Sequence, residues 1–170
     1  GAGKSTIAKI ISQKLGIVYL DTGAMYRAVA YKMINKNIDL GDDQGIISVL
    51  ASTDIQIKYD GDIQRIILDG QDVTSLIRTS EVSKAASDVA IIPEVRIKLV
   101  EIQRKIASTN SLVMDGRDIG TYVLPNASLK FYLTASLDER AERRWKEMSA
   151  NGDGQSFESL TYEGYGPGGI

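Results

Sequence analysis

The sequence predicts an α/β domain in which helices cover a parallel sheet, with a small antiparallel β insert. Short apolar runs rich in β-forming residues alternate with amphipathic segments, the pattern of parallel strands joined by helices. Residues 54–74 change to a period of two and contain two Asp-Gly pairs, at 60–61 and 69–70, which are typical of hairpins. The length of 170 residues is sufficient for one domain with a buried core.

The first part of the chain contains two predicted helices around one strand. Apolar residues recur at helical spacing over residues 7–15, and Gly16 predicts the end of the first helix. The apolar run at residues 17–20 is typical of a short buried strand. Residues 21–37 are predicted to form the second helix, with Thr22 as its N-terminal cap.

The same alternation returns after the insert. Residues 81–108 have a helical pattern that Pro93 divides into two helices. Short apolar runs at residues 111–115 and 129–133 predict two more strands, and residues 136–150 predict a last helix. No internal repeat is visible, which agrees with a single domain.

The composition excludes several classes of function. The formal net charge of −2 gives no global basic field, so we expect no nucleic-acid partner and no attraction to an anionic membrane. The absence of cysteine and histidine excludes disulfides, thiolate metal sites and histidine-based acid–base chemistry. No apolar run approaches the length of a membrane span, and we expect a cytoplasmic protein.

The N-terminal stretch GAGKST matches the second half of the phosphate-binding loop G-x-x-x-x-G-K-[ST]. In such a loop the backbone N–H groups and the N-terminus of the following helix bind phosphate. The predicted nucleotide site consists of Gly1, Ala2, Gly3, Lys4, Ser5 and Thr6. Lys4 would reach the β- and γ-phosphates and Ser5 would ligate Mg²⁺. A simple loop before a helix is the alternative interpretation.

A second group of candidates, in DTGAMYR, follows the strand predicted at residues 17–20. Ligands collect at the carboxyl ends of strands in open α/β sheets. Thr22, Tyr26 and Arg27 offer there a hydroxyl, a phenol and a planar guanidinium suited to phosphate. A structural role is the alternative, with Thr22 capping the helix and Arg27 on its solvent face.

A third group stands in VMDGRDIG, where Asp115, Arg117 and Asp118 follow an apolar run. The run predicts a strand that meets a loop at these residues. Short charged loops commonly indicate only solvent exposure, so these side chains alone leave both a functional and a structural interpretation open.

Five segments together resemble the bacterial-type cytidylate kinases in order and spacing: GAGKST, LDTGAMYRA, EVSKAAS, IPEVRIKLVEIQR and VMDGRDIGT. The resemblance covers residues 1 to about 160 and implies a P-loop NTPase fold. Its monophosphate-binding region, at about 22–110, would carry the β insert. The resemblance also implies an enzyme that transfers the γ-phosphoryl group of ATP, with Mg²⁺, to CMP or dCMP.

The family pattern implies a role for each candidate. The residues expected at the cytosine are Ser87, Arg96 and Asp118, and those expected at the monophosphate are Thr22, Tyr26, Arg27 and Arg117. The chemistry agrees, because a carboxylate accepts from cytosine N4 whereas arginine and serine serve N3 and O2. Uracil would present an oxygen to Asp118, so we expect it to be rejected. Taken alone, Arg96 and Gln103 on the same helix stripe would indicate a solvated face.

Catalysis is expected to depend on charge neutralisation, because a nucleoside monophosphate is already an anionic nucleophile near neutral pH. The basic residues implied are Lys4, Arg117, Arg140 and Arg144. For Arg140 and Arg144 a solvated helix face is the alternative. Asp115 is assigned either to Mg²⁺ or to a structural role.

The C-terminal stretch departs from the family pattern. Family members continue after FESL into a lid segment with arginines, but residues 147–170 contain no lysine or arginine. We therefore expect a truncated, poorly active domain in which residues 150–170 are a lid remnant or a non-native tail. We also expect a monomer. Another small-molecule P-loop kinase and a nucleotide-binding module without turnover are the rival interpretations.

Overall fold

A computed structural model describes residues 3–61, 63–136, 138–139, 142 and 145–146. These residues belong to two compact units. The larger unit runs from Ile7 to Ser128, and the smaller one contains the described residues before Ile7 and from Leu129 onward.

The elements follow one another in nearly the predicted order. The helices are α1 (Lys4–Leu15), α2 (Thr22–Asn35), α3 (Asp43–Ala51), α4 (Ser80–Val89) and α5 (Pro93–Thr109). The strands are β1 (Val18–Asp21), β2 (Ile55–Asp60), β3 (Ile63–Leu68), β4 (Gln71–Asp72) and β5 (Leu112–Asp115). A 3-10 turn at Leu76–Arg78 precedes α4, and a π-helical turn at Ile119–Val123 follows β5.

Strands β1 and β5 form a parallel pair, in register from Val18 opposite Leu112 to Asp21 opposite Asp115. Because parallel strands run in the same direction, their carboxyl ends lie side by side, and the two aspartates end the pair together. The predicted α/β class, with helices around a parallel sheet, is confirmed.

The predicted β insert is a separate antiparallel sheet in the order β2-β3-β4. Its second turn consists of Asp69 and Gly70, with φ of 49° and 86°, the left-handed pair that a type I′ hairpin requires. The first turn begins one residue later than its Asp-Gly pair, because Asp60 still pairs with Ile63 across the two strands. Gly61, with φ of 57°, is the first residue of that turn.

Helix α2 lies at the centre of the hydrophobic core. Its buried side chains Met25, Ala28, Val29 and Met33 recur at helical spacing. They belong to one cluster that includes Leu20, Ile46, Ile66, Val73, Ile77, Val82, Val89, Val95 and Leu99. Each fully buried side chain of this size stabilises the fold by about 1.5–3 kcal/mol relative to an exposed one. The core therefore fixes α2, whose N-terminus meets the end of β1.

The predicted division of residues 81–108 into two helices at Pro93 is also confirmed. Pro93 occupies the first turn of α5, where its missing N–H removes no helical hydrogen bond. Helix α3, in contrast, was not predicted. Its start has a recognisable signal, since the Asp42 carboxylate accepts a hydrogen bond of 3.0 Å from the backbone N–H of Gly45.

The prediction that Thr22 caps α2 is wrong. Asp21 is the capping residue, and its Oδ1 accepts from the backbone N–H of Ala24 at 3.1 Å. Thr22 is the first helical residue, because a carboxylate one position earlier takes the N-terminal donors of the helix.

The strand predicted at residues 129–133 is wrong as well. These residues pair with no strand among the described residues, and Leu129, Phe131 and Tyr132 are exposed. A strand is stable only where a neighbour pairs with its backbone, so an apolar run does not suffice.

The described residues of the last predicted helix, Asp138, Glu139, Glu142, Trp145 and Lys146, are helical, and the rest of 136–150 except Ser136 lies outside the described residues. Within the described part of the chain, no helix combines the length and apolar character needed to cross a membrane.

Candidate active site

The carboxyl ends of β1 and β5 form the base of the candidate site. Asp21 Oδ2 is 3.0 Å from Nη2 of Arg27, so the carboxylate that caps α2 also orients a guanidinium six residues further along the chain. Asp115, opposite Asp21, accepts at Oδ1 a hydrogen bond of 3.3 Å from the Tyr19 hydroxyl. Both strand ends therefore carry an acidic side chain that contacts a neighbouring donor.

Thr22 joins the two strand ends. It is buried, and its hydroxyl donates to the backbone oxygen of Asp115 at 2.8 Å. The chain after β5 passes very close to this hydroxyl, since a Cβ on Gly116 would lie 2.6 Å from Thr22 Oγ1 and 2.8 Å from the Ile119 side chain. Only glycine fits at position 116 without displacing its neighbours.

Asp118 and Arg96 form an ion pair immediately after this close approach. The Arg96 Nη2 donates to Asp118 Oδ2 at 2.7 Å, and the side chains are 43% and 35% exposed, so a ligand can reach both. The backbone of Asp118 starts the π-helical turn, because its oxygen accepts from the N–H groups of Tyr122 and Val123 at 2.8 and 3.2 Å.

Tyr26 lies in the electrostatic field of this pair. Burial raises the pKa of the Tyr26 phenol, and the negative charge of Asp118 raises that pKa further, while Arg96 acts in the opposite direction. The structure thus brings together Tyr26 from α2, Arg96 from α5 and Asp118 from the segment after β5.

Two residues without any prediction support the ion pair. The ring of Tyr122 lies under two guanidinium groups, with its centroid 5.9 Å from Cζ of Arg96 and 5.6 Å from Cζ of Arg104. Arg104 also donates from Nε to the Val123 oxygen at 2.9 Å and from Nη2 to the Tyr122 oxygen at 2.7 Å. No local motif identifies Arg104, because its partners lie beyond the following strand.

Tyr59 and Gln64 attach the β insert to β1 and were not predicted either. The Tyr59 hydroxyl donates to the Tyr19 backbone oxygen at 2.9 Å, and Gln64 Oε1 accepts from the Asp21 backbone N–H at 2.9 Å. Burial raises the pKa of Tyr59 to about 12. In the sequence Tyr59 and Gln64 are only an aromatic and an amide residue of a predicted hairpin, and this combination is too common to indicate a role.

In the predicted phosphate loop, Gly3 has φ of 79° and α1 begins at Lys4. Lys4, Ser5 and Thr6 are exposed in the first turn of α1, where backbone N–H groups have no helical acceptor. This arrangement suits an anionic ligand. Gly1 and Ala2 lie outside the described residues.

The remaining predicted site residues are placed as follows. Ser87 is exposed on α4, and Arg117 is exposed between Gly116 and Asp118. Arg140 and Arg144 lie outside the described residues. Gln103 was expected beside Arg96 on a solvated face of α5, but its side chain is only 1% exposed.

Two of the predicted site residues, Ser5 and Asp115, carry oxygen ligands of the kind that Mg²⁺ prefers. No cluster of three or more acidic ligands occurs in the described part of the chain. Mg²⁺ bound to nucleotide phosphates needs only one or two oxygen ligands from the protein, so either side chain by itself would suffice.

Proteins of one known family resemble this chain over most of its length. The profile of the cytidylate kinase family matches residues 1–163. A cytidylate kinase of Caldicellulosiruptor saccharolyticus is 54% identical over 152 residues, which cover 89% of this chain and 67% of that protein. A cytidylate kinase of Carboxydothermus hydrogenoformans is 50% identical over 163 residues, covering 96% and 73%. The resemblance seen in the sequence is confirmed, and the chain belongs to the cytidylate kinase family.

Proposed function

We propose that this chain transfers the γ-phosphoryl group of ATP to CMP or dCMP, giving ADP and CDP or dCDP. The observation that carries the proposal is the Arg96–Asp118 ion pair beside Tyr26, in a chain of the cytidylate kinase family. A carboxylate and a guanidinium in contact offer an acceptor and donors next to each other, as the N4, N3 and O2 edge of cytosine requires.

Asp118 and Arg96 would read the base together. The carboxylate would accept from the N4 amino group, and the guanidinium, which has five N–H donors, would donate to N3 or O2 while it keeps Asp118 in place. Ser87 would add a hydroxyl from α4. Uracil would present its O4 oxygen to the Asp118 carboxylate, and the repulsion between these two acceptors would reject it.

The monophosphate would lie near the ends of β1 and β5, with Tyr26, Arg27 and Arg117 as donors. Arg27 uses one N–H on Asp21 and has others for phosphate oxygens. The Thr22 hydroxyl donates to the Asp115 oxygen, so it would have to rotate before it could donate to phosphate. Its contribution is otherwise to hold the strand ends together.

ATP would bind at the N-terminus of α1 through the loop of Gly1, Ala2, Gly3, Lys4, Ser5 and Thr6. Lys4 would stabilise the β- and γ-phosphates, and Arg140 and Arg144 would add positive charge. Ser5 would hold Mg²⁺, which neutralises phosphate charge when bound, and Asp115 is the other candidate ligand.

The transfer itself needs no general base from the protein. A phosphate oxygen of CMP attacks the γ-phosphorus, the bond from that phosphorus to the bridging oxygen breaks, and ADP leaves with the electron pair. The protein aligns the two nucleotides and neutralises charge. We expect a cytoplasmic monomer that acts on small nucleotides and not on nucleic acid.

The test is ADP release from ATP with CMP, dCMP, UMP or AMP as acceptor. Turnover with the cytidine nucleotides that is lost in Lys4→Ala, together with a reduced preference for CMP over UMP in Asp118→Asn, would support the proposal. A preference of the unmodified chain for AMP or UMP would indicate another small-molecule kinase. Turnover is expected to be slow, because residues 147–170 contain no lysine or arginine. Nucleotide binding without any turnover would indicate a nucleotide-binding module.

A further inference from the structure

We infer that Arg104 is a positioning residue for the Arg96–Asp118 pair and that it acts through Tyr122 and the π-helical turn after Asp118. The inference rests on the proposed function for its effect on cytosine recognition. The structural part, that Arg104 holds the pair in place, can be tested without any nucleotide.

The turn between Asp118 and Val123 is closed at both ends. At its start the Asp118 oxygen accepts from the backbone N–H groups of Tyr122 and Val123. At its end the oxygens of these two residues both accept from the guanidinium of Arg104, at 2.7 and 2.9 Å. Carbonyls at the end of a helical turn have no helical donor, so a charged fork that binds two of them stabilises the turn that begins at Asp118.

The ring of Tyr122 connects Arg104 to Arg96. Both guanidinium carbons lie within 6 Å of the ring centroid, at 5.6 and 5.9 Å, in the range of cation–π attraction. Arg96 therefore has two partners, the Tyr122 ring and the Asp118 carboxylate. Both partners belong to the turn that Arg104 closes.

Helix α5 thus holds the segment after β5 at two points, eight positions apart in its sequence. Arg96 contacts the carboxylate that would read the base, and Arg104 contacts the backbone that carries this carboxylate. Loss of Arg104 would remove the donor to the Tyr122 and Val123 backbone oxygens. It would also remove one of the two guanidinium groups that contact the Tyr122 ring. Asp118 would then no longer be held at a fixed distance from Arg96.

The kinetic experiment compares Arg104→Met and Arg104→Lys with the unmodified chain. For Arg104→Met we expect KM for CMP to rise and the CMP-to-UMP ratio of kcat/KM to fall, each by about tenfold, the effect of losing one charge-assisted hydrogen bond that orients a group. We expect KM for ATP to change less than about twofold, because the α1 loop is untouched. Arg104→Lys keeps the positive charge but loses the planar fork of N–H donors. Its KM for CMP and its CMP-to-UMP ratio should therefore lie between those of Arg104→Met and the unmodified chain.

Tyr122 provides the matched controls. Tyr122→Phe keeps the ring and should leave the CMP-to-UMP ratio unchanged, whereas Tyr122→Leu should lower it. An unchanged ratio in both Arg104 variants, or a parallel rise of KM for CMP and ATP with a lower Tm, would overturn the inference, because either result describes a residue that only stabilises the fold.

A nucleotide-free measurement separates this inference from the proposed function. In NMR spectra of the free protein, the Arg96 guanidinium signals, assigned by their loss in Arg96→Lys, should be resolved in the unmodified chain and averaged in Arg104→Met. Resolved signals in both proteins would refute the positioning role whatever the substrate is. If the signals average as expected but no cytidine nucleotide is bound or phosphorylated, the proposed function fails and the positioning role stands.

Discussion

Tyr59 and Gln64 face each other across β2 and β3, and both side chains bind the backbone of β1. Their partners, the Tyr19 oxygen and the Asp21 N–H, point away from β5. Backbone groups of successive residues in a strand point to opposite sides, and Val18, the residue before Tyr19, points toward β5, where its N–H donates to the Ser111 oxygen. The β insert is therefore attached to the strand that ends at the candidate site, and its stability should affect that site.

Alkaline pH should weaken this attachment. The folded pKa of Tyr59 is about 12 and its unfolded value is near 10, so the stability that the neutral phenol provides is complete below about pH 10. It should be lost as the pH rises toward 12. The measurement is the free energy of unfolding in urea from about pH 9 to about pH 12 for the unmodified chain and for Tyr59→Phe.

The difference in stability between these two proteins should shrink as the pH rises through this interval. Tyr132→Phe, at a side chain that is 93% exposed, is the control and should show no such change. A constant difference between the unmodified chain and Tyr59→Phe would contradict the assignment.

Asp69→Asn should destabilise the protein although the hairpin turn is kept. Asn tolerates the left-handed conformation of position 69, so the turn is preserved, but the buried Lys32 loses the carboxylate 2.6 Å from its Nζ. Because Asp69 is 40% exposed, we expect a loss of about 1–2 kcal/mol, below that of a fully buried pair. Urea denaturation at neutral pH measures it. Asp60→Asn, which removes a carboxylate that is 71% exposed, should have little effect.

The dependence of stability on acidic pH gives an independent check of the Lys32–Asp69 ion pair. Burial alone would raise the pKa of Asp69, but hydrogen bonds from Lys32 and the Asp54 backbone hold it below its usual value. The stabilisation is therefore present above the unfolded pKa, near 4, and is lost as the pH falls through the folded value. The stability difference caused by Asp69→Asn should disappear at low pH, and its persistence there would mean that charge is not the cause.

Gln103→Met should raise stability. Gln103 is 1% exposed, and neither amide atom has a hydrogen-bond partner among the described residues. An unpaired buried amide costs about 1–3 kcal/mol, which a thioether of similar size avoids, so we expect a gain of about 1 kcal/mol. Thermal and urea unfolding measure it, with the exposed Gln44→Met as control. A loss of stability would show that the amide holds a bound water or another partner.

Gly116→Ala should impair CMP phosphorylation more than it impairs folding. Its Cβ would overlap with Thr22 Oγ1 and the Ile119 side chain, and we expect relief of the overlap to shift the segment that carries Asp118. We expect kcat/KM for CMP to fall by about tenfold or more while the folded state is retained. Gly41→Ala, whose Cβ would meet nothing closer than Asp39 Oδ1 at 3.5 Å, is the control. Equal activities of the two variants would mean that the close approach at Gly116 does not matter.

The sequence predicts those features that depend on local pattern. Pro93 marks the start of α5 and the second Asp-Gly pair marks a type I′ turn, because each constrains its own backbone. The strand at residues 129–133 could not be judged in this way, because a strand depends on a partner elsewhere in the chain. The cap of α2 depended on a choice between Asp21 and Thr22, two neighbouring residues that can both cap a helix.

The candidate site shows the same limit. Resemblance to a family drew attention to Arg96 and Asp118, and the structure places them in contact. The resemblance assigned no role to Arg104 or Tyr122, whose contacts join α5 to the segment beyond β5. Gln103, on the same helix as Arg96, is buried although its polarity indicates exposure, because the core position is set by helix packing.

The hydrogen bonds of Tyr59 and Gln64 also have a consequence for self-association. The outer edge of a strand is a template on which another chain can add by backbone pairing. On β1 the Tyr19 oxygen and the Asp21 N–H are already bound by side chains, so neither group can pair with an added strand. The insert thereby hinders edge-to-edge aggregation at the strand that leads into the candidate active site.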